Sequence, residues 1–159
     1  MSRDAEPSAG CDLHELGPED LERFRAMLAL FSRVFEMPET YAAAQPDADY
    51  ARRLLAAEHF IALVAEADGA VIGGLAAYVL DKFEQARREI YIYDLAVDAG
   101  WRRRGVATAL IRRLQALARA RGAWVIFVQA DHGDDPAIAL YQGLGHREDV
   151  LHFDISPEG

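Results

Sequence analysis

The chain of 159 residues is 52% hydrophobic and 27% charged, which is typical of one globular domain. Its net charge of −9 argues against a nucleic-acid partner, because phosphate binding relies on clustered Lys and Arg, and it favours a cationic ligand, although acidity also serves solubility alone. One cysteine excludes an intrachain disulfide and a thiolate metal cluster, and no apolar run approaches the ~20 residues of a membrane span, so we expect a cytoplasmic protein.

The first third of the chain predicts helices after one edge strand. Residues 1–10 are polar and indicate a flexible leader, and residues 11–16 an edge strand. Apolar residues recur at three- and four-residue steps over 21–37, which predicts an amphipathic helix that packs on a sheet. A loop over 40–49 and a short second helix over 50–55 are expected to follow.

The middle of the chain predicts an antiparallel meander. Residues 59–66 and 70–80 have strand composition and flank Asp68-Gly69, a dipeptide typical of tight hairpin turns. Residues 89–97, EIYIYDLAV, are rich in the β-branched and aromatic residues that suit a central strand.

The last third predicts a parallel crossover. Helical spacing runs from Val106 to Gly122, and the apolar run 123–128 has the length of a strand buried on both faces, so a βαβ unit should span 89–129. A short helix over 135–144 and a last strand over 149–155 complete an α/β fold: a mixed, mostly antiparallel central sheet flanked by helices.

An arginine-rich turn stands between the strand EIYIYDLAV and the long helix. It consists of Arg102, Arg103, Arg104, Gly105, Val106, Ala107 and Thr108. Small residues let a ligand approach the backbone, and the start of a helix attracts phosphate, although a run of arginines also forms an ordinary solvated face. The turn lacks the Gly-Lys-Ser/Thr ending of a Walker loop and the three glycines of a dinucleotide fingerprint, so a different phosphate ligand is expected.

In this turn the chain resembles the GNAT acetyltransferase superfamily. The acetyl-CoA signature of that superfamily, Arg/Gln-x-x-Gly-x-Gly/Ala, is matched by Arg102, Gly105 and Ala107, with alanine in place of the commoner glycine. The preceding residues resemble the end of the superfamily's splayed fourth strand, whose backbone binds the pantetheine arm and whose N–H faces the thioester oxygen: Leu95, Ala96 and Val97. The resemblance implies acetyl-CoA as co-substrate and no metal.

A second motif of the superfamily is similar to residues 139–145, ALYQGLG, and implies that Tyr141 protonates the departing CoA thiolate. Without the motif, Tyr141 would be taken for a packed aromatic residue. The two motifs imply one GNAT-type domain over residues 1–159. The sequence contains neither a His-Glu-x-x-His zinc motif nor a Gly-x-Ser-x-Gly elbow, which argues against zinc or acyl-serine chemistry.

Longer stretches are similar to the type I (gentamicin) aminoglycoside 3-N-acetyltransferases: FIALVAE, AAYVLDKFEQ, EIYIYDLAV and VQADHGDDPAIALYQGLG. This resemblance implies transfer of an acetyl group to the 3-amino group of an aminoglycoside, antibiotic resistance, substrate-binding carboxylates and a homodimer. Two alternatives remain open: a GNAT enzyme for a polyamine or another small cationic amine, and a non-catalytic acyl-CoA-binding module.

Several acidic residues are candidates for binding a cationic substrate. Asp94 interrupts an apolar strand, where an unpaired carboxylate costs several kcal/mol, so it contacts a substrate ammonium, accepts a proton or pairs with an arginine. Glu89 borders the acceptor or is a solvated strand end. Asp131 and Asp134 follow a strand at the sheet edge where ligands bind, and Asp135 is expected to cap the next helix.

These residues predict direct transfer in a ternary complex. The backbone N–H near Val97 would stabilise the oxyanion, Asp94 would help remove the amine proton, and Tyr141 would act as general acid.

Overall fold

A computed structural model describes residues 10–159. The leader expected at residues 1–10 therefore lies outside the described residues, apart from Gly10. The chain forms two compact units, Met1–Gln129 and Ala130–Gly159.

The first unit contains one five-stranded sheet and most of the helices. Its strand order is β1-β2-β3-β4-β5, antiparallel throughout except for the parallel pair β4–β5, which confirms the mixed sheet and its parallel crossover. The elements are β1 (Asp12–Glu15), α1 (Leu21–Phe35), α2 (Pro38–Tyr41), α3 (Ala48–Ala56), β2 (Phe60–Ala67), β3 (Ala70–Asp81), β4 (Arg88–Val97), a 3-10 turn (Ala99–Trp101), α4 (Val106–Ala120) and β5 (Ala123–Val128).

The β2–β3 hairpin forms where the sequence predicts it. Asp68 and Gly69 both have positive φ, 52° and 77°, and two such residues give a turn whose twist matches that of the flanking strands. The hairpin therefore follows from local chemistry.

Helix α1 covers one face of the sheet. A Cβ atom at Gly74 would lie 2.7 Å from Met27 Cγ and 3.3 Å from Phe31 Cε1, so the helix approaches the strand at a residue without a side chain. The helix ends at Phe35, two residues earlier than predicted, because Glu36 turns to a φ of 54°. The predicted loop over 40–49 is shorter than expected, since α2 extends to Tyr41 and α3 begins at Ala48.

Helix α4 covers the opposite face. Its buried side chains include Val106 and Leu110, which would lie 2.9 Å and 3.4 Å from a Cβ atom at Gly73 on β3. Because α1 and α4 pack on opposite faces, the sheet between them has a core on both sides.

The prediction that the strand over 123–128 is buried on both faces is wrong. In the described residues β5 is an edge strand with β4 as its one neighbour, its side chains are half-buried, and Trp124 is exposed. An apolar run fits a half-covered edge strand as well as a central one, so composition did not distinguish them.

The second unit contains α5 (Asp135–Leu144), at the predicted position. The strand predicted over 149–155 is absent from the described structure, and the apolar side chains of that segment are exposed: Val150, Leu151, Phe153 and Ile155. Among residues 10–159, no helix combines the length and apolar character needed to cross a bilayer.

Candidate active site

The C-terminal half of β4 has an open backbone edge. Pairing with β5 ends at Ile92, opposite Val128, whereas pairing with β3 continues to Val97. In the described residues, the backbone groups of 93–97 that point away from β3 therefore have no strand partner. Such an edge offers N–H and C=O groups to an extended amide ligand. The predicted cofactor-binding residues lie on it: Leu95, Ala96 and Val97.

The turn after β4 leads into the start of α4. Asp98 fixes the turn, since its N–H donates to the carbonyl of Ile72 at 2.8 Å and its Oδ1 accepts from the N–H of Gly100 at 3.3 Å. Gly105 is the N-cap of α4 with a φ of 80°, and as a glycine it has no side chain that could accept from the first N–H groups of this helix. A Cβ at Gly105 would meet nothing within 4 Å, so space is open at the helix start. Unpaired N–H groups at this end favour an anion.

The three arginines of the turn add positive charge there. Arg104 stacks on the ring of Trp101, with its guanidinium carbon 4.9 Å from the ring centroid. Arg102 and Arg103 are exposed and pair with no acidic side chain in the described part of the chain. The predicted signature residues 102–108 thus form one anion-favouring turn and helix start.

A β-bulge in β4 lies where the open edge begins. Ala77 pairs with Ile92 and Ala76 pairs with Asp94, so Tyr93 is the extra residue. Alternate residues of a strand share a face, and the extra residue therefore moves Asp94 to the face that carries Tyr91. Without the bulge, the carboxylate would face α4 and the apolar core on that side.

The carboxylate of Asp94 accepts a hydrogen bond from Tyr41, with Oη 2.8 Å from Oδ2. Burial raises the pKa of Asp94, and the Tyr41 hydrogen bond opposes that shift. No arginine or other cation pairs with Asp94 within residues 10–159, which argues against the alternative of an arginine pair. Among the described residues, Asp94 is a carboxylate without a cationic partner.

Tyrosine rings surround this carboxylate. The rings of Tyr78 and Tyr91 each lie 5.7 Å from that of Tyr93, and Tyr91 stacks on Phe127 at 4.7 Å. Burial first, and then the proximity of Tyr93 and Asp94, raise the pKa values of Tyr78 and Tyr91. Aromatic faces beside a carboxylate attract ammonium groups.

Glu89 is not the solvated strand end that was the alternative to a substrate contact. Its side chain is 17% exposed, and its Oε2 lies 3.6 Å from Nζ of Lys82. Five residue-to-residue steps of extended strand lead from Glu89 to Asp94, a distance on the order of 15 Å. The two carboxylates therefore do not form one cluster.

The remaining predicted residues belong to the second unit. Tyr141 is partly buried in α5, and burial, followed by the charge of Asp134, raises its pKa to about 12. Asp134 is the N-cap of α5, with Oδ1 accepting from the N–H of Ala137 at 3.4 Å, so the prediction that Asp135 is the cap is wrong by one residue. Asp131 is exposed, and its carbonyl accepts from the N–H of Asp134 at 3.2 Å.

Sequence reasoning missed Tyr41 and the bulge. Tyr41 contacts Asp94 across 53 residues of chain, and no local pattern indicates that contact. The bulge leaves no clear signal in the sequence either, because residues 95–97 are apolar throughout and do not show that the strand changes face at Tyr93.

An open strand edge followed by an anion-favouring helix start is the arrangement of a protein that binds an extended, phosphate-bearing donor. The sequence profile of the acetyltransferase (GNAT) family matches residues 24–146, so the chain belongs to this family. GNAT acetyltransferases use acetyl-CoA. No group of three or more His, Cys, Asp or Glu residues suited to a metal ion occurs in the described residues.

Two solved structures are similar over almost their whole length. An aminoglycoside acetyltransferase, HMB0005, from an uncultured soil metagenomic sample shares 55% identity with a TM-score of 0.90, covering 92% of this chain and 97% of that one. A second, meta-AAC0020, also from an uncultured soil metagenomic sample and in complex with sisomicin, shares 33% identity with a TM-score of 0.86, covering 95% and 99%.

Curated relatives match over a shorter stretch. N-acetyltransferase family 8 member 2 of Rattus norvegicus is 31% identical over 90 residues, which are 57% of this chain and 40% of the rat protein. The chain therefore spans well under half the length of that relative.

Proposed function

We propose that the protein transfers the acetyl group of acetyl-CoA to the 3-amino group of a gentamicin-like aminoglycoside, by direct attack in a ternary complex, and so confers resistance. The observation that carries the proposal is the carboxylate of Asp94, which has no cationic partner among the described residues and lies on a tyrosine-lined face where the open edge of β4 begins. The likeness to HMB0005 and to the sisomicin-bound meta-AAC0020 supports an aminoglycoside as acceptor.

The donor half of the proposed site fits acetyl-CoA. The diphosphate would bind the N–H groups and arginines of residues 102–108, and the pantetheine arm would follow the edge of residues 95–97. The open space at Gly105 supports this assignment, because a phosphate must come within hydrogen-bonding distance of the backbone there.

The acceptor half has to turn an ammonium into a nucleophilic amine. In our proposal Asp94 binds the acceptor ammonium and takes its proton, directly or through water, and the amine then attacks the thioester carbonyl. The backbone N–H near Val97 would stabilise the negative charge that develops on the carbonyl oxygen. No covalent enzyme intermediate is required.

The leaving thiolate needs a proton donor, a role that we assign to Tyr141. A general acid must carry its proton at neutral pH, and Tyr141 does so at the ordinary tyrosine pKa of about 10 as well as at its raised pKa of about 12. Asp131, Asp134 and Glu89 would bind the other amino groups of a polycationic acceptor.

The proposal is tested by release of the CoA thiol from acetyl-CoA with gentamicin, a streptomycin-type aminoglycoside and spermidine as separate acceptors. We expect release with gentamicin, and NMR of the product should place the acetyl group on the 3-amino nitrogen. Release with spermidine alone would mean that the acceptor is a polyamine and not an aminoglycoside. Binding of CoA without release of the thiol would indicate a non-catalytic acyl-CoA-binding module.

Two variants test the residue roles. Asp94→Asn should lower kcat/KM for gentamicin by about 10²–10⁴, because it removes the proton acceptor and one ammonium contact. The matched control is Asp49→Asn, which makes the same change at a side chain that is 94% exposed on α3 and should leave kcat/KM unchanged. Tyr141→Phe should lower kcat; an unchanged kcat would refute its assignment as general acid.

A further inference from the structure

The hydroxyl of Tyr41 is the one hydrogen-bond donor that the described residues supply to the carboxylate of Asp94. We propose that Tyr41 is a positioning residue: it holds Oδ2 of Asp94, so that Oδ1 stays directed at the acceptor amine. The identity of that amine rests on the function proposed above, whereas the contact and its effect on Asp94 do not.

The ring of Tyr41 is fixed by α1. Its centroid lies 5.8 Å from that of Phe31 at an interplanar angle of 70°, and 5.7 Å from that of Phe35 at 47°. Aromatic pairs in such edge and tilted arrangements are favourable beyond the area they bury. The hydroxyl is therefore held by packing that does not depend on Asp94.

The backbone of Tyr41 is fixed as well. Its N–H donates to the carbonyl of Met37 at 3.1 Å, and its own carbonyl accepts from Nε2 of Gln45 at 3.2 Å. Gln45 in turn accepts from Nη1 of Arg25, on α1, at 3.1 Å. A chain of hydrogen bonds thus runs from α1 through Gln45 and Tyr41 to Asp94.

Two irregular features of the fold meet at this contact. The bulge at Tyr93 moves Asp94 to the face of the sheet where Tyr41 lies, and the short helix α2 presents Tyr41 to it. A regular strand would place no carboxylate there, and a simple loop would not hold a hydroxyl in place. Both features are accounted for if the orientation of this carboxylate matters to the reaction.

The contact also sets the charge state of Asp94. Among residues 10–159, the groups that face Asp94 are the tyrosines Tyr41 from α2, Tyr78 from β3, and Tyr91 and Tyr93 from β4. The Tyr41 hydrogen bond therefore provides the stabilisation that opposes the burial of the carboxylate. Without it, Asp94 should take up a proton at higher pH and lose its capacity to accept one from the amine.

The test is Tyr41→Phe, which keeps the ring and removes the hydroxyl. The first readout is the titration of the Asp94 carboxyl carbon by NMR, without substrate, where we expect the midpoint to move to higher pH. The matched control is Tyr50→Phe, which removes a hydroxyl from a residue that is 54% exposed on α3 and should leave the Asp94 midpoint in place.

The second readout is kinetic. Tyr41→Phe should lower kcat about tenfold, move the acidic limb of the pH profile to higher pH and leave KM for acetyl-CoA unchanged. In an Asp94→Asn background, Tyr41→Phe should have no further effect on kcat, because Tyr41 acts through Asp94.

An Asp94 midpoint that Tyr41→Phe does not move would overturn the inference, even if kcat fell, since the role of Tyr41 would then be structural. Additive effects of the two substitutions on kcat would overturn it as well. If the wild-type protein acetylated no aminoglycoside, the proposed function would fail, and the NMR titration would still decide the inference about Tyr41.

Discussion

The two units of the chain differ in how far comparable apolar side chains are buried. In the first unit, Leu110 of α4 is fully buried, whereas in the second unit Leu151 is 81% exposed although its segment has strand-like composition. The difference shows that the composition of a segment determines which of its faces is apolar, but does not provide the neighbouring backbone that a strand needs. A strand forms where another backbone edge satisfies its N–H and C=O groups, and residues 149–155 have no such edge in the described structure.

The largest effect should separate the two leucines. Leu110→Ala should lower the free energy of unfolding by about 2–5 kcal/mol, because it opens a cavity between α4 and β3. Leu151→Ala should change it by less than about 0.5 kcal/mol, because an exposed side chain loses few contacts. Urea unfolding monitored by circular dichroism measures both values.

If Leu151→Ala lowered the free energy of unfolding as much as Leu110→Ala does, the two units would not differ in the burial of these leucines. That result would mean that the exposed segment is covered in solution. Repeating the unfolding at several protein concentrations would then tell whether a second copy covers it, since only an association makes the midpoint depend on concentration.

Replacement of one glycine in each unit by alanine should change stability in opposite directions. Gly74→Ala should lower the free energy of unfolding by about 1–3 kcal/mol, because the new Cβ would lie 2.7 Å from Met27 Cγ in a packed core. Gly143 lies in α5 with nothing within 4 Å of a Cβ, so Gly143→Ala should stabilise that helix by up to about 1 kcal/mol through helix propensity.

Urea unfolding measures the first change, and amide hydrogen exchange in α5 the second. A destabilised Gly143→Ala protein would show that α5 is packed at this residue in solution. A neutral Gly74→Ala would show that Met27 and the flexible end of its side chain adjust at little cost.

How much of the fold could be predicted depended on how local the cause was. The β2–β3 hairpin follows from Asp68-Gly69 alone, and α5 from the helix start before Pro136. The burial of β5 and the absence of a strand at 149–155 were not predictable in this way. Both depend on which backbone lies beside the segment, and nothing within the segment specifies its neighbour.

The candidate site, too, could be predicted only where the cause was local in sequence. The arginine-rich turn at 102–108 was predicted because strand, turn and helix start are adjacent in sequence. Asp94 was selected for its charge within an apolar strand, but the Tyr41 contact depends on packing between α2 and β4, which no spacing rule describes. The bulge was not predictable either, because the run of residues 95–97 is apolar at every position.

A pH-dependent effect on stability concerns Tyr141, the tyrosine of the second unit. Its pKa is raised to about 12, so in alkali the unfolded chain releases this proton at lower pH than the folded chain does. The folded state then binds more protons than the unfolded state, and the free energy of unfolding must fall as pH rises from about 10 to about 12. Tyr141→Phe should remove that part of the decline.

Because burial also raises the pKa values of Tyr41, Tyr78 and Tyr91, the wild type and the variant are compared as a difference in urea midpoint at about pH 9 and about pH 11. Identical declines in the two proteins would mean that Tyr141 is solvated in the folded state and that burial does not raise its pKa.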